Sequence, residues 1–128
     1  MWKSWWGISR REAGVTDRSE VLWEKGVRLS DEGRYREAAG AYTEAAEMGH
    51  VLAQTNLGTL LFDKLDPPEV EKAIYWSEKA AEAGERCAAW NLAMHYRDLG
   101  DATQYKIWML RAGELGDDDA KEAVEKPE

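Results

Sequence analysis

Cysteine is almost missing from this 128-residue chain, with Cys87 the single example. One thiol closes no disulfide within the chain and excludes a cysteine-based zinc site, which needs several thiolates. No apolar run approaches the ~20 residues of a membrane-spanning helix. Strand signals are also scarce, because β-branched residues never alternate with polar ones over a useful length. The signatures of common chemistry are absent: no glycine-rich phosphate loop, no His-Glu-x-x-His and no Gly-x-Ser-x-Gly. The two histidines, His50 and His95, fall in different parts of the chain. His50, beside Gly49, is expected to face solvent, and His95 to join polar contacts on a helix. Cys87 and His95 are two helical turns apart, about 12 Å, too far for a nucleophile pair. These absences point away from an enzyme and imply neither a metal nor a cofactor.

Positive charge is the other scarcity. Lys plus Arg number 17 against 25 Asp plus Glu, a net charge of −8. A general nucleic-acid binder neutralises phosphates with basic side chains and is excluded on that count. The acidic total suits a partner that is itself basic. Residues 1–11 carry no continuous apolar core and no small-residue cleavage pattern, so a cytoplasmic location is expected.

What the chain has is repetition. Ala45-Ala46-Glu47-Met48-Gly49, Ala80-Ala81-Glu82-Ala83-Gly84 and Ala112-Gly113-Glu114-Leu115-Gly116 align, with their last glycines 35 and 32 residues apart. Ala53, Ala88 and Ala120 each follow those glycines by four positions, and Asn56-Leu57-Gly58 aligns with Asn91-Leu92-Ala93. Shared register among such landmarks is the mark of a repeat array. Between them the apolar period is helical: Val70, Ala73, Ile74, Ser77, Ala80 and Ala81 share one face, as do Ala88, Leu92, Tyr96 and Leu99. The glycines stand where left-handed caps end helices.

The spacing therefore predicts helix pairs at 17–30 with 34–48, 51–62 with 69–83, and 86–99 with 101–115, then a last helix at 118–126. Asp17 reads as an N-cap, and Pro67-Pro68 marks an inter-helix loop. Gly26, Gly58 and Ala93 recur on the first helices and let two helices approach closely. Asp117-Asp118-Asp119 suits a helix start, where the dipole is positive, better than a cation site.

These residues make the chain resemble the Sel1-like repeat proteins, a branch of the tetratricopeptide superfamily. The match is best from Ala53 to Gly84, with Asn-Leu-Gly, Ala73-Ile74-Tyr75-Trp76 and Lys79-Ala80-Ala81-Glu82-Ala83-Gly84. Ala89-Trp90-Asn91-Leu92-Ala93 repeats it. Gly26, Leu29, Gly33, Tyr35, Ala38, Tyr42 and Ala45 read more like a plain tetratricopeptide unit. The resemblance implies an all-α, right-handed α-solenoid of about three helix pairs with a C-terminal capping helix. It also implies an adaptor-type, non-catalytic role, with the first helices lining the concave side. Asn56 and Asn91 would then be the structural asparagines of the pattern. The lysines of the superfamily's carboxylate clamp are not at the concave positions.

On those first helices a second stripe recurs: Trp23 and Val27; Thr55, Thr59 and Phe62; Trp90, Met94 and Arg97. A helix with two stripes has more apolar surface than one neighbour covers, and Trp, Met and Arg are enriched where partners dock. These eight residues are the candidate partner-binding set, although Trp23 and Trp90 also suit a core.

Two domains of composition emerge. Residues 1–15 form a Trp-rich basic segment with Trp2, Trp5 and Trp6 at helical spacing, and residues 16–128 form the repeat domain. Over residues 1–18, four basic and two acidic side chains give +2, which leaves −10 for the remainder of the −8 total. The segment fits an end cap for the solenoid, an interfacial membrane contact or a partner-binding arm. The functional expectation is a protein-protein interaction module. It is either a bacterial immunity protein neutralising a cognate basic toxin domain or a small adaptor. The rival is a membrane-associated scaffold anchored by the Trp-rich start.

Overall fold

The computed structural model describes residues 17–125, and the Trp-rich segment 1–15 lies outside them. Seven helices follow one another: α1 (Arg18–Asp31), α2 (Tyr35–Glu47), α3 (Val51–Asp63), α4 (Val70–Glu82), α5 (Arg86–Asp98), α6 (Ala102–Glu114) and α7 (Asp118–Glu125). No strand occurs among the described residues. The helices stand where the periodicity predicts them, their ends within one residue of expectation. α1 packs on α2, α3 on α4 and α5 on α6, while α2–α3, α4–α5 and α6–α7 join each pair to the next.

Local chemistry sets the helix ends. The carboxylate of Asp17 accepts from the Ser19 N–H at 2.9 Å and starts α1. Asp101 accepts from Gln104 and starts α6, and Asp117 accepts from Ala120 and starts α7. Each satisfies a backbone donor that has no partner inside its helix. At the other ends, Gly49 and Gly84 adopt φ of 89° and 95°. Those left-handed turns let the N–H of His50 and Glu85 reach back to the Ala45 and Ala80 carbonyls. Glycine takes that conformation without a steric penalty, so the aligned glycines mark the aligned helix stops.

The interior is lined by small side chains. Ala38, Ala45, Ala53, Ala73, Ala80, Ala88, Ala93, Ala112 and Ala120 are fully buried, together with Leu57 and Leu92. Alanine at a crossing lets helix backbones come close, with the buried leucines filling the space between them. The tightest points lie within the pairs. A Cβ added at Gly26 would stand 2.5 Å from the Tyr42 ring on α2. One added at Gly58 would overlap the Ser77 hydroxyl and press on the Ala73 carbonyl of α4 at 3.2 Å. The expectation that small residues on the first helices permit close pairing holds at both glycines.

The array is asymmetric. First helices of successive pairs, α1 with α3 and α3 with α5, touch one another, whereas second helices make at most marginal contact. The tighter side of the stack is therefore the one formed by α1, α3 and α5.

Two glycine substitutions should move stability in opposite directions. Gly40 lies within α2 with nothing within 4 Å of an added Cβ, so Gly40→Ala should stabilise by about 0.5–1 kcal/mol through helix propensity. Gly58→Ala should instead destabilise by about 1–3 kcal/mol through overpacking. Urea unfolding followed by circular dichroism reads both.

Candidate protein-binding face

Helical spacing puts Trp23 and Val27 of α1, Thr55, Thr59 and Phe62 of α3, and Trp90, Met94 and Arg97 of α5 on the side where first helices meet. Trp23, Val27, Thr59, Phe62, Trp90 and Met94 are each half-buried. Their inner parts pack on the core: Trp23, Val27 and Phe62 on the N-terminal half, Trp90 and Met94 on the C-terminal half. Arg97 is exposed, and Thr55 is buried with its hydroxyl donating to the Val51 carbonyl. Leu52, nearly half exposed at 47%, and Cys87 extend the same face toward the helix starts.

Neighbouring first helices are joined by polar contacts within this face. The Trp23 indole Nε1 donates to Asn56 Oδ1 at 2.8 Å, linking α1 to α3. The Asn91 amide donates to the Thr59 hydroxyl at 3.1 Å, linking α3 to α5. The aligned asparagines thus do the same job at successive joints, and each part-buried donor is satisfied. Trp23 and Thr59 are consequently both exposed-face and joint residues.

Both histidines serve these joints. His50 is half-buried rather than solvent-facing. Its Nδ1 accepts from the Ala53 N–H at 3.1 Å and caps α3, and its ring stacks on Trp23 with centroids 5.4 Å apart. An imidazole nitrogen accepts only when unprotonated, so the cap needs neutral Nδ1. The signal in the sequence was its place one residue before a helix start, whereas the expectation of solvent exposure rests only on the helix-ending Gly49 beside it.

His95 stacks on Phe62 across the α3–α5 joint, centroids 4.0 Å apart and rings 12° from parallel. It is 2% exposed, and its Nδ1 has no hydrogen-bond partner. The polar contacts expected for it are not made at that atom. Burial lowers its pKa from the ordinary 6.5, while the charges of Asp63 and Asp98 partly oppose the shift. Desolvation disfavours the imidazolium because water no longer solvates the charge. In the first helix pair, burial and the charge of Asp31 raise the Tyr42 phenol.

No three His, Cys, Asp or Glu side chains among the described residues are grouped to hold a metal ion. No described helix is long and apolar enough to cross a membrane. No family model matches the sequence, and no curated protein matches it.

The His95 environment gives a pH prediction with a definite sign. The unfolded chain takes up a proton near pH 6.5 and the folded chain only at lower pH, so stability falls as pH drops below about 6.5. Thermal unfolding of the wild type at pH 7.5 and 5.5 should show a lower midpoint at pH 5.5. His95→Leu, with no titrating ring on Phe62, should show a smaller difference over the same interval.

Proposed function

We infer that this chain is a non-enzymatic protein-binding module of the Sel1-like type, a right-handed α-solenoid whose concave side takes a partner protein. The observation that carries this reading is the recurrence of half-buried apolar side chains, Trp23 and Val27, Phe62, and Trp90 and Met94, on three successive first helices. Each of these side chains packs its inner part on the core and keeps part of its surface exposed. Large apolar groups that stay part-exposed in a continuous strip mark docking surfaces more often than solvated ones. The absence of a recognisable reactive motif in the sequence agrees with binding rather than turnover.

Within that class the sharper reading is an immunity protein, which covers the active site of a basic toxin domain in the cytoplasm. A small adaptor is the broader form of it. The net charge of −8 supports fast capture of a basic partner, because opposite charge raises encounter rates. A membrane-associated scaffold is the second reading, favoured by Trp2, Trp5 and Trp6 beside Lys3, Arg10 and Arg11.

Co-expression with the product of the adjacent reading frame tests the immunity reading. If that product is toxic, the wild-type chain should restore growth. The Met94→Arg variant, with unchanged helical content by circular dichroism, should lose at least about tenfold in affinity for it. Growth restored equally by both proteins removes the concave site. Flotation of the full chain with anionic vesicles separates the scaffold reading, since the binding module should stay unbound.

A further inference from the structure

Second helices of successive pairs make at most marginal contact, and a hollow opens at each gap. The repeat register equates the two hollows. Trp76 and Lys79 stand four residues and one residue before Ala80, and Trp108 and Arg111 stand likewise before Ala112. Each tryptophan shares its hollow with an alanine of the second helix before it: Trp76 with Ala46 of α2, and Trp108 with Ala81 of α4.

The later hollow is filled from within. The Arg111 guanidinium lies over the Trp108 ring, 4.6 Å from its centroid, and Trp108 is 6% exposed. Glu114 lines the same space, which measures about 180 Å³. A planar guanidinium stacks flat on an indole and is drawn to the negative face of the ring.

The earlier hollow is larger, about 360 Å³. Its own cation is turned to a different ring, with Lys79 Nζ lying 5.8 Å from the Tyr75 centroid. Trp76 stays half-buried, and among the described residues no cation lies over it. Tyr75 stands edge-on to Trp76, centroids 5.0 Å apart and planes at 82°, so the two rings form a corner. Glu47 lines the hollow and makes no ion pair among the described residues. Gln54, also lining it, is buried and fixed by its amide donating to the Ala46 carbonyl at 3.2 Å. The earlier hollow thus has the tryptophan and the carboxylate of the later one and lacks the guanidinium.

Glu47 and Lys79 are both exposed and carry opposite charges, so their fields largely offset in water. Selection then falls on stacking, where a compact, strongly hydrated ammonium gains less than a guanidinium.

We propose that the hollow between α2 and α4 receives an arginine side chain of a basic partner protein, its guanidinium stacked on Trp76 and paired with Glu47, as Arg111 stacks on Trp108 one unit later. The proposal rests on the protein-binding reading above and adds a contact on the second helices, apart from the strip on the first helices.

The test titrates the isotope-labelled full chain with N-acetyl-arginine amide and follows the indole N–H signals by NMR, Trp76→Phe identifying the Trp76 signal. The lysine and citrulline analogues are the controls. Arginine should move the Trp76 signal and leave that of Trp90 in place, and it should bind at least about threefold tighter than either analogue. Lys79→Arg places a guanidinium of the chain's own beside Trp76, in the manner of Arg111. That variant should weaken arginine binding at least about threefold with no loss of thermal midpoint. Glu47→Gln should weaken it by about threefold as well.

The proposal is overturned if the three compounds bind alike, if the Trp76 signal does not respond, or if Lys79→Arg binds arginine as the wild type does. It is also overturned if the full-length Arg10→Gln, Arg11→Gln variant binds added arginine about tenfold tighter, since the chain's own first segment would then be the occupant. Dissociation of a dimer by added arginine in sedimentation would overturn it too, because a second copy would fill the hollow. None of these outcomes touches the strip on the first helices, which Met94→Arg tests separately, so failure here and failure of the protein-binding reading are distinguishable.

Discussion

The close approach of paired helices is the constraint on which this molecule depends. At Gly58 the backbone of α3 comes so near Ser77 and Ala73 of α4 that a methyl group has no room. At Gly26 the Tyr42 ring occupies the equivalent space in the first pair. That proximity explains the alanine-rich interior, because larger side chains would push the helices apart and open voids between Leu57, Leu92 and their neighbours. It also explains why the apolar side chains of the first helices fall into two stripes. One stripe is used up in the tight pair, and the other is left for the side where first helices meet.

That second side is held by specific polar contacts as well as by packing. Trp23 with Asn56 and Asn91 with Thr59 fasten consecutive units, and Phe62 on His95 adds a stacked contact at the second joint. These are directional, so they fix how one unit sits on the next more narrowly than hydrophobic burial alone. The same residues shape the strip proposed to meet a partner. Binding there and the alignment of units are accordingly coupled through shared side chains, and a change at Trp23 or Phe62 affects both.

Much of the fold was legible in the primary sequence because its determinants are local. Helix stops are written as glycines after Ala-Ala runs, starts as Asp17, Asp101 and Asp117, and the close crossings as Gly26 and Gly58. The positions of the candidate strip followed from i, i+4 spacing once the helices were placed. The joints were not legible in the same way. Nothing local says that Asn56 will accept from Trp23, 33 residues away, or that His95 will lie flat on Phe62. Those contacts depend on how units stack, which periodicity does not encode. The capping role of His50 needs only one backbone N–H at the right distance, a detail no composition rule carries.

The contact pattern has a kinetic corollary. Among the described residues, each helix touches its chain neighbours and, for α1, α3 and α5, the next first helix, with at most marginal contact beyond these. Such an arrangement lacks the long-range closures that make a domain melt as one body. Unravelling at one unit is opposed only by the interface to the adjacent unit, so heat or force should release the molecule in stages, one hairpin fraying while its neighbour persists.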